Sequence, residues 1–283
     1  MPTARVWQIW NPSSFSKIEE IKFDGNSFTL DELSSRLPNG IYTTFRTFGH
    51  NKLLPLEPQF LRLEESASLM KKPILLNRGL IRDALREVVK LCQEQEMRIR
   101  LTVDLANQPG TIYISLEKLI TPKSEDYENG VNTVTRRAER KNPKAKQTSF
   151  LRDAERIRDE VLENINEVLL VNGKGQILEG LSSNFFAIKK GEIWTEDKQV
   201  LSGIVRSIIL KEATTAGVRI HLAPVYISEI ESLEEAFLTS ASRSVLPIQK
   251  IDGQFVGTGR SGHITKKLIV LYQQRIKKML EEL

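Results

Sequence analysis

The sequence is poor in the residues that form disulfides and metal centres. It contains one cysteine, Cys92, so no internal disulfide can form, and we predict a cytoplasmic protein kept under reducing conditions. Its three histidines, His50, His221 and His263, are far apart and lack the spacing of metal ligands. We therefore predict that the chain binds no metal.

Long apolar runs and several common catalytic motifs are also missing. No stretch reaches the roughly 18 apolar residues of a transmembrane helix. No apolar run follows the first residues as in a signal peptide, so we expect no membrane partner. A GxSxG elbow, a Walker loop and a GxGxxG fingerprint are all absent. These absences set aside serine-triad chemistry and the common nucleotide-binding loops.

The charge of the chain is basic but does not favour nucleic acid. The formal net charge is +5, with 36 acidic residues interspersed among 41 basic ones. The densest basic stretch, residues 136–146, contains no aromatic side chains on which bases would stack. We interpret this stretch as a solvated face or an attraction for an anionic ligand, and we predict no nucleic-acid partner.

Periodicity predicts a mixed α/β protein. Residues 40–47 are β-branched and aromatic and predict a strand, whereas helices are predicted from about Pro58 and from the N-cap Asn77. Strand and helix patterns continue to alternate after residue 131, starting with a strand over residues 131–137.

A polar segment divides these elements into two groups. Residues 121–130 begin with Thr-Pro-Lys-Ser-Glu-Asp and show no periodicity, so we predict an interdomain linker. The division predicts a small N-terminal domain over residues 1–120 and a larger C-terminal domain over residues 131–283.

Four features have the chemistry of a cofactor site. Lys146 follows a run of cations and precedes Phe150, and both neighbours favour a neutral, nucleophilic amine. Glu179 lies at the end of an apolar strand, a position that suits a buried carboxylate bound to a pyridine nitrogen. Gly203 precedes a predicted helix, and the free N–H groups at the start of that helix would bind a phosphate. Arg62 lies on a predicted amphipathic helix. Singly, each has a common structural explanation: an exposed lysine, a turn, a helix start and a surface arginine.

The order of these features carries more information than each one alone. Three motifs occur in sequence, with Lys146 between the first and second: Arg62–Ala67 (Arg-Leu-x-x-Ser-Ala), Glu179–Asn184 (Glu-Gly-x-x-x-Asn) and Leu201–Arg206 (Leu-x-Gly-Ile-Thr-Arg, with Val205 for threonine). This series resembles the class IV aminotransferase family, which contains branched-chain aminotransferases, D-amino acid aminotransferases and aminodeoxychorismate lyase. The resemblance runs from about Gly40 to about Thr265.

The resemblance implies a fold, a cofactor and site residues. Such enzymes are two-domain, α+β (mixed α/β) proteins of fold type IV, with a small α/β sandwich domain and a larger pseudo-barrel domain. They bind pyridoxal 5'-phosphate and build their site at a homodimer interface. Lys146 would form the Schiff base and move protons, and Glu179 would pair with the pyridinium nitrogen. The other implied residues are Arg62, Asn184, Ile204, Val205, Ser240 and Ser242 for the cofactor, and Tyr42, Arg100 and Ala241 for the substrate.

Departures from the family pattern bear on the substrate. Phe150 lies near the place of a tyrosine that branched-chain enzymes have after the lysine. The strand Tyr42-Thr43-Thr44-Phe45-Arg46 lacks the family's glutamate, and its paired threonines look more like the lyase. Residues 103–107, however, lack the arginine-bearing loop of lyases and D-specific enzymes. Ala241 replaces a phosphate-binding threonine, for which Ser240 or Ser242 would substitute. Arg100 is either a substrate carboxylate contact or a structural strand arginine.

We predict an aminotransferase that moves an amino group between a branched-chain or similar apolar amino acid and a 2-oxo acid. The alternatives within the family are a lyase that eliminates pyruvate from aminodeoxychorismate and a D-amino acid aminotransferase. The handedness of the amino donor stays open.

Overall fold

The computed structural model describes residues 3–9, 18–24, 28–162 and 164–283, and within them the predicted mixed α/β class is confirmed. The helices are α1 (Leu30–Ser35), α2 (Glu57–Leu69), α3 (Arg78–Lys90), α4 (Ser124–Asn129), α5 (Ser149–Asp159), α6 (Ile204–Thr215) and α7 (His263–Met279), with a 3₁₀ helix at Ile227–Ser232. The strands are β1 (Arg5–Ile9), β2 (Ile18–Ile21), β3 (Gly40–Phe48), β4 (Lys52–Leu53), β5 (Met97–Asp104), β6 (Ile112–Lys118), β7 (Val131–Arg137), β8 (Glu167–Val171), β9 (Ile177–Gly180), β10 (Asn184–Lys189), β11 (Glu192–Trp194), β12 (Ile220–His221), β13 (Glu235–Ser240), β14 (Ser244–Ile251), β15 (Gln254–Phe255) and β16 (Glu281–Glu282). None of the described helices has the length and apolar character needed to span a bilayer.

The chain forms two compact units. The first unit comprises Met1–Ile120, Ala145–Glu155 and Met279–Leu283, and the second comprises Thr121–Lys144 and Arg156–Lys278. The first unit contains a seven-stranded sheet in the order β16-β4-β3-β5-β6-β1-β2. Its core joins this sheet to the apolar faces of α2 and α3, where the helical spacing of Ile81, Ala84, Leu85 and Val88 buries one side of α3.

The second unit contains a sheet that closes on itself. The strand order β12-β11-β10-β13-β14-β7-β8-β9 is completed by an additional pairing of β9 with β10, so β10, β13, β14, β7, β8 and β9 form a ring. The strands of this ring are largely buried, and their apolar side chains form the core of the unit. The pairing that closes the ring joins Asn184 to Glu179, two residues of the Glu-Gly-x-x-x-Asn motif.

The two units differ from the predicted domain division in three places. The predicted linker contains helix α4, which begins where the Asp126 carboxylate accepts a hydrogen bond from the Lys123 N–H at 2.8 Å. Periodicity did not reveal this helix because it is short and buries none of its side chains. Residues 145–155, predicted in the C-terminal domain, belong to the first unit because backbone hydrogen bonds attach them to β3. Met279–Leu283, also predicted in the C-terminal domain, belongs to the first unit because β16 pairs with β4.

Candidate active site

In the first unit, hydrogen bonds hold the backbone of Lys146 on both sides. The Tyr42 N–H donates to the Lys146 carbonyl at 2.9 Å, and the Lys146 N–H donates to the Ser66 hydroxyl at 3.0 Å. Two residues further on, the Thr148 N–H donates to the Gly40 carbonyl at 2.9 Å. The segment around Lys146 is therefore attached to the edge of β3 and to α2, which gives its side chain a defined origin.

The side chain of Lys146 lies over the ring of Tyr42. Its Nζ atom is 4.6 Å from the ring centroid, and the Arg100 guanidinium is 4.9 Å from the same centroid. Tyr42 is almost fully buried. The ring thus contacts two cations, each of which gains about 0.5–2 kcal/mol from such a contact. The structure brings together Lys146, Tyr42 and Arg100, three of the residues predicted for the site.

Arg100 is held by groups of its own unit. Its guanidinium donates to the Thr44 hydroxyl at 3.1 Å and to the Ser34 hydroxyl at 2.7 Å. It also pairs with the Asp31 carboxylate at 2.7 Å, although its side chain is only 3% exposed. These contacts support the structural alternative for Arg100, in which the arginine packs against Tyr42 and joins β5 to α1.

Arg62 lies half-buried on α2. Burial lowers the pKa of its guanidinium to about 10, against the opposing influence of Tyr42 and Glu65, which raises that pKa. The group is still charged at neutral pH. A cation in a partly desolvated position gains more from an anionic ligand than a surface cation does, so its environment suits a phosphate.

In the second unit, Glu179 and Asn184 face each other across a hairpin. They are directly paired residues of β9 and β10, so their side chains lie on the same face of the sheet. The Asn184 amide donates to the Glu179 carboxylate at 3.3 Å and to the Leu201 carbonyl at 2.8 Å. The five-residue separation of the motif therefore places a carboxylate and an amide side by side. It also ties both to the loop before α6.

Gly180 completes this hairpin for a steric reason. A Cβ atom at Gly180 would lie 2.4 Å from the Ser183 hydroxyl oxygen and 2.8 Å from Cγ of Glu167. Real Cβ atoms do not approach other atoms so closely, so no larger residue fits at the second position of the motif without displacing its neighbours.

Glu179 is a buried charge with several partners. Its side chain is 3% exposed, and one carboxylate oxygen lies 3.0 Å from Nε of Arg140, whose side chain is 5% exposed. The other oxygen accepts hydrogen bonds from the Leu201 N–H at 3.2 Å and from Asn184. Arg140 also donates to the Leu181 carbonyl at 3.2 Å. Because a buried carboxylate without a cation is strongly destabilising, Arg140 supplies the opposite charge that this carboxylate needs inside the unit.

The start of α6 is suited to an anion. Gly203 is the N-cap and supplies no side-chain hydrogen bond to the first turn. The first N–H groups of a helix, here including those of Ile204 and Val205, have no partner within the helix and carry partial positive charge. A Cβ atom at Gly203 would lie 2.0 Å from Oδ1 of Asn184, so glycine is required where the loop passes the Glu179 hairpin.

The turn at Ser240, Ala241 and Ser242 connects β13 to β14. It begins one residue after Thr239, the partner of Asn184 in the sheet, so the register places it beside the Glu179 hairpin. Arg243 holds the turn through hydrogen bonds to the hydroxyls of Ser240, at 3.2 Å from its N–H, and of Ser182, at 2.8 Å.

Arg243 also forms an ion pair with Glu167, at 2.5 Å. Burial raises the pKa of the Glu167 carboxyl, but Arg243, Arg158 and a hydrogen bond from Ser182 outweigh it, so the pKa is lowered. Ser244, which follows Arg243, has a left-handed backbone with φ of 57°, an uncommon conformation for a residue with a side chain. The ion pair therefore stabilises a turn with local backbone strain.

Sequence reasoning missed three of these supporting residues. Arg140 lies in the stretch that we interpreted as a solvated face or an anion-attracting region, and instead its side chain is buried against Glu179. Ser66 and Arg243 carried no predicted role. The motif Arg-Leu-x-x-Ser-Ala contained the signal for Ser66, whereas only the need of a buried carboxylate for a cation pointed to Arg140.

The chain matches a known family over most of its length. The model of the family described as amino-transferase class IV matches residues 40–251. A relative from Thermotoga maritima named "Probable branched-chain-amino-acid aminotransferase" is 27% identical over 92% of this chain and 93% of its own. The D-alanine aminotransferase of Bacillus licheniformis is 25% identical over 87% of this chain and 91% of its own.

A solved structure shows the same fold. The T.th. branched-chain amino acid aminotransferase, solved with pyridoxamine 5'-phosphate, superposes with a TM-score of 0.79. The superposition covers 100% of this chain and 99% of the other, at 17% sequence identity. The predicted fold type IV is thereby confirmed. With the match over residues 40–251, the chain belongs to the class IV aminotransferase family and is an aminotransferase.

Proposed function

We propose that the protein is a pyridoxal-phosphate-dependent transaminase of branched-chain amino acids. The observation that carries the proposal is the arrangement around Leu201. Its N–H donates to the buried Glu179 carboxylate at 3.2 Å, and it lies in the loop that leads into the N-terminus of α6, where the N-cap Gly203 offers no side-chain hydrogen bond. A carboxylate for a ring nitrogen and a helix start for a phosphate suit the two ends of this cofactor.

The residues present fit the phosphate in charge and in hydrogen-bonding capacity. A phosphate dianion is stabilised by a guanidinium and by helix N-terminal N–H groups, which we assign to Arg62, Ile204 and Val205. Ser240 and Ser242 would add hydroxyl donors in place of the threonine that Ala241 replaces. We assign Asn184 a supporting role, since its amide orients Glu179.

Lys146 is the proposed catalytic residue. Pyridoxal phosphate, when bound, supplies an aldehyde that reacts with amines and a ring that withdraws electrons. Lys146 would hold the aldehyde covalently until substrate replaces it, and its freed amine would then move a proton between the substrate Cα and the cofactor carbon. The hydrogen bonds that hold its backbone would keep the amine within reach during this transfer.

The substrate assignment rests on the relatives and on the side chains available to bind substrate. The T. maritima relative is named for branched-chain amino acids over nearly the full length of both chains. Tyr42 would provide an aromatic wall for an apolar side chain, with Arg100 supporting that ring. Thr44, one of the paired threonines, binds Arg100, so this pair has a structural use and does not favour the lyase. The homodimer implied by the resemblance stays a prediction.

The proposal is tested by incubating the purified protein with pyridoxal phosphate, leucine and 2-oxoglutarate. We expect glutamate and 4-methyl-2-oxopentanoate in equal amounts, with valine and isoleucine also accepted. Both enantiomers of each donor are run in parallel, since handedness is open. D-alanine and aminodeoxychorismate are tested in separate assays. A preference for D-alanine would contradict the proposed branched-chain substrates, and release of pyruvate from aminodeoxychorismate would show a lyase reaction instead of transamination.

We predict that Arg62→Met weakens binding of the cofactor through its phosphate. Loss of a charge-assisted contact of about 1.5–3 kcal/mol corresponds to about 10–100-fold in the dissociation constant. The measurement is an absorbance titration with pyridoxal phosphate and, separately, with pyridoxal. Affinity for pyridoxal is expected to change little, and an equal loss for both ligands would contradict a phosphate contact. Arg86→Met, at an exposed arginine of α3, is the matched control.

A further inference from the structure

Arg140 and Glu179 form a buried pair of opposite charges inside the second unit. Their side chains are 5% and 3% exposed, and Nε of Arg140 lies 3.0 Å from the carboxylate. Arg140 also donates to the carbonyl of Leu181, in the turn directly after Glu179. The arginine therefore contacts both the carboxylate and the backbone of the hairpin that carries it.

This position affects the charge of Glu179. A buried carboxyl group without a cation takes up a proton, because the neutral form is the one favoured away from water. An adjacent guanidinium reverses this preference and keeps the group ionised. The proposed partner of Glu179 is a ring nitrogen that must carry a proton, so two groups compete for one proton. A carboxylate with low proton affinity leaves that proton on the nitrogen.

Resting on the proposed function, we infer that Arg140 is a positioning residue that keeps Glu179 ionised and thereby keeps the proton on the ring nitrogen of the cofactor. Removing the guanidinium moves this proton from the ring nitrogen to the Glu179 oxygen, with no other group gained or lost. The carboxyl then donates a hydrogen bond to the nitrogen where the carboxylate accepted one. The ring consequently withdraws electrons less strongly.

The charge of Arg140 favours the ionised form of Glu179, whereas the shape of its guanidinium allows it to contact both the carboxylate and the hairpin backbone. Arg140→Met removes both, whereas Arg140→Lys keeps a cation but has a single nitrogen for the two contacts. Lysine is therefore expected to preserve the ionised carboxylate and to hold the hairpin less firmly. Arg137→Met, at an exposed arginine of the same segment, is the matched control.

The test measures the ring nitrogen directly in the loaded enzyme. Each variant is reconstituted with ¹⁵N-labelled pyridoxal phosphate, and its ¹⁵N chemical shift is compared with those of the protonated and unprotonated nitrogen. We expect the protonated value in the parent chain, Arg137→Met and Arg140→Lys, and the unprotonated value in Arg140→Met. The kcat of Arg140→Met should fall about 10–100-fold, the scale on which residues that orient a ligand act in metal sites.

Glu179→Gln separates failure of this inference from failure of the proposed function. If Glu179→Gln loses the protonated signal and Arg140→Met keeps it, the inference about Arg140 is wrong and the assignment of Glu179 stands. If neither variant changes the signal, Glu179 does not bind the ring nitrogen. Should Arg140→Met fail to fold, Arg140→Gln and Arg140→Lys provide the comparison. If the inference holds, Arg140→Gln loses the signal of the protonated nitrogen and Arg140→Lys keeps it. A protonated signal in Arg140→Gln overturns the inference.

Discussion

Lys146→Ala is expected to lower kcat by on the order of 10⁴-fold or more, because covalent attachment and proton transfer are both lost. The fold should survive, since the backbone groups of Lys146 make the hydrogen bonds to Tyr42 and Ser66 and alanine keeps them. The substitution removes the contact of the side chain with the Tyr42 ring, at 4.6 Å, which is a small loss beside these bonds. A fall in activity with a nearly unchanged melting temperature is therefore the expected pattern.

The chemistry of attachment gives this prediction a second measurement. Borohydride reduces the link between a lysine and the cofactor, so peptide mapping of the reduced parent protein identifies the residue. We expect the label on Lys146, and a label on Lys141 or Lys144 would shift the catalytic assignment. Lys141→Ala, at an exposed lysine of the same segment, is the control and should keep full activity.

Local patterns predicted most of the elements that carry these residues. The strand predicted at residues 40–47 is β3, the strand predicted at residues 131–137 is β7, and Asn77 caps α3 by accepting a hydrogen bond from the Leu80 N–H at 3.1 Å. In each case the signal is a run of side chains whose period matches the element. The sequence motifs likewise identified the family, because several of them occur in one order along the chain.

Partnerships between distant residues could not be read from the sequence. Arg140 and Glu179 belong to different segments of the chain. The pairing of Glu179 with Asn184 closes the ring of strands and Glu179 is buried there, which is why its carboxylate needs a cation nearby. Arg100 has the same sequence signal whether it binds substrate or Asp31. Its hydrogen bonds to Thr44 and Ser34 became visible only once the sheet and α1 were in place. Charge along a sequence reports composition, whereas burial depends on the fold.

Glu179→Gln is expected to keep the cofactor bound but to slow turnover by on the order of 10²–10³-fold, the scale of losing one preorganised hydrogen-bonding group. The amide of glutamine cannot stabilise a protonated ring nitrogen by charge. Retention of the cofactor follows because the phosphate and Lys146 contacts are untouched. The measurements are steady-state kinetics with leucine and absorbance of the bound cofactor, and Glu231→Gln, at an exposed glutamate, is the control. Unchanged turnover would remove Glu179 from this role.

The same substitution should also destabilise the fold, for a separate reason. It leaves Arg140 buried without its carboxylate, a loss of about 3–5 kcal/mol in the free energy of unfolding. Urea unfolding of the protein without cofactor measures this loss.

Combining Glu179→Gln with Arg140→Gln removes both charges, so stability should recover toward that of the parent chain while turnover stays low. Recovery of turnover together with stability would mean that Glu179 acts only through the fold. Because stability is expected to recover in the double variant while turnover is not, this variant separates the part that the carboxylate plays in closing the ring from its part at the ring nitrogen.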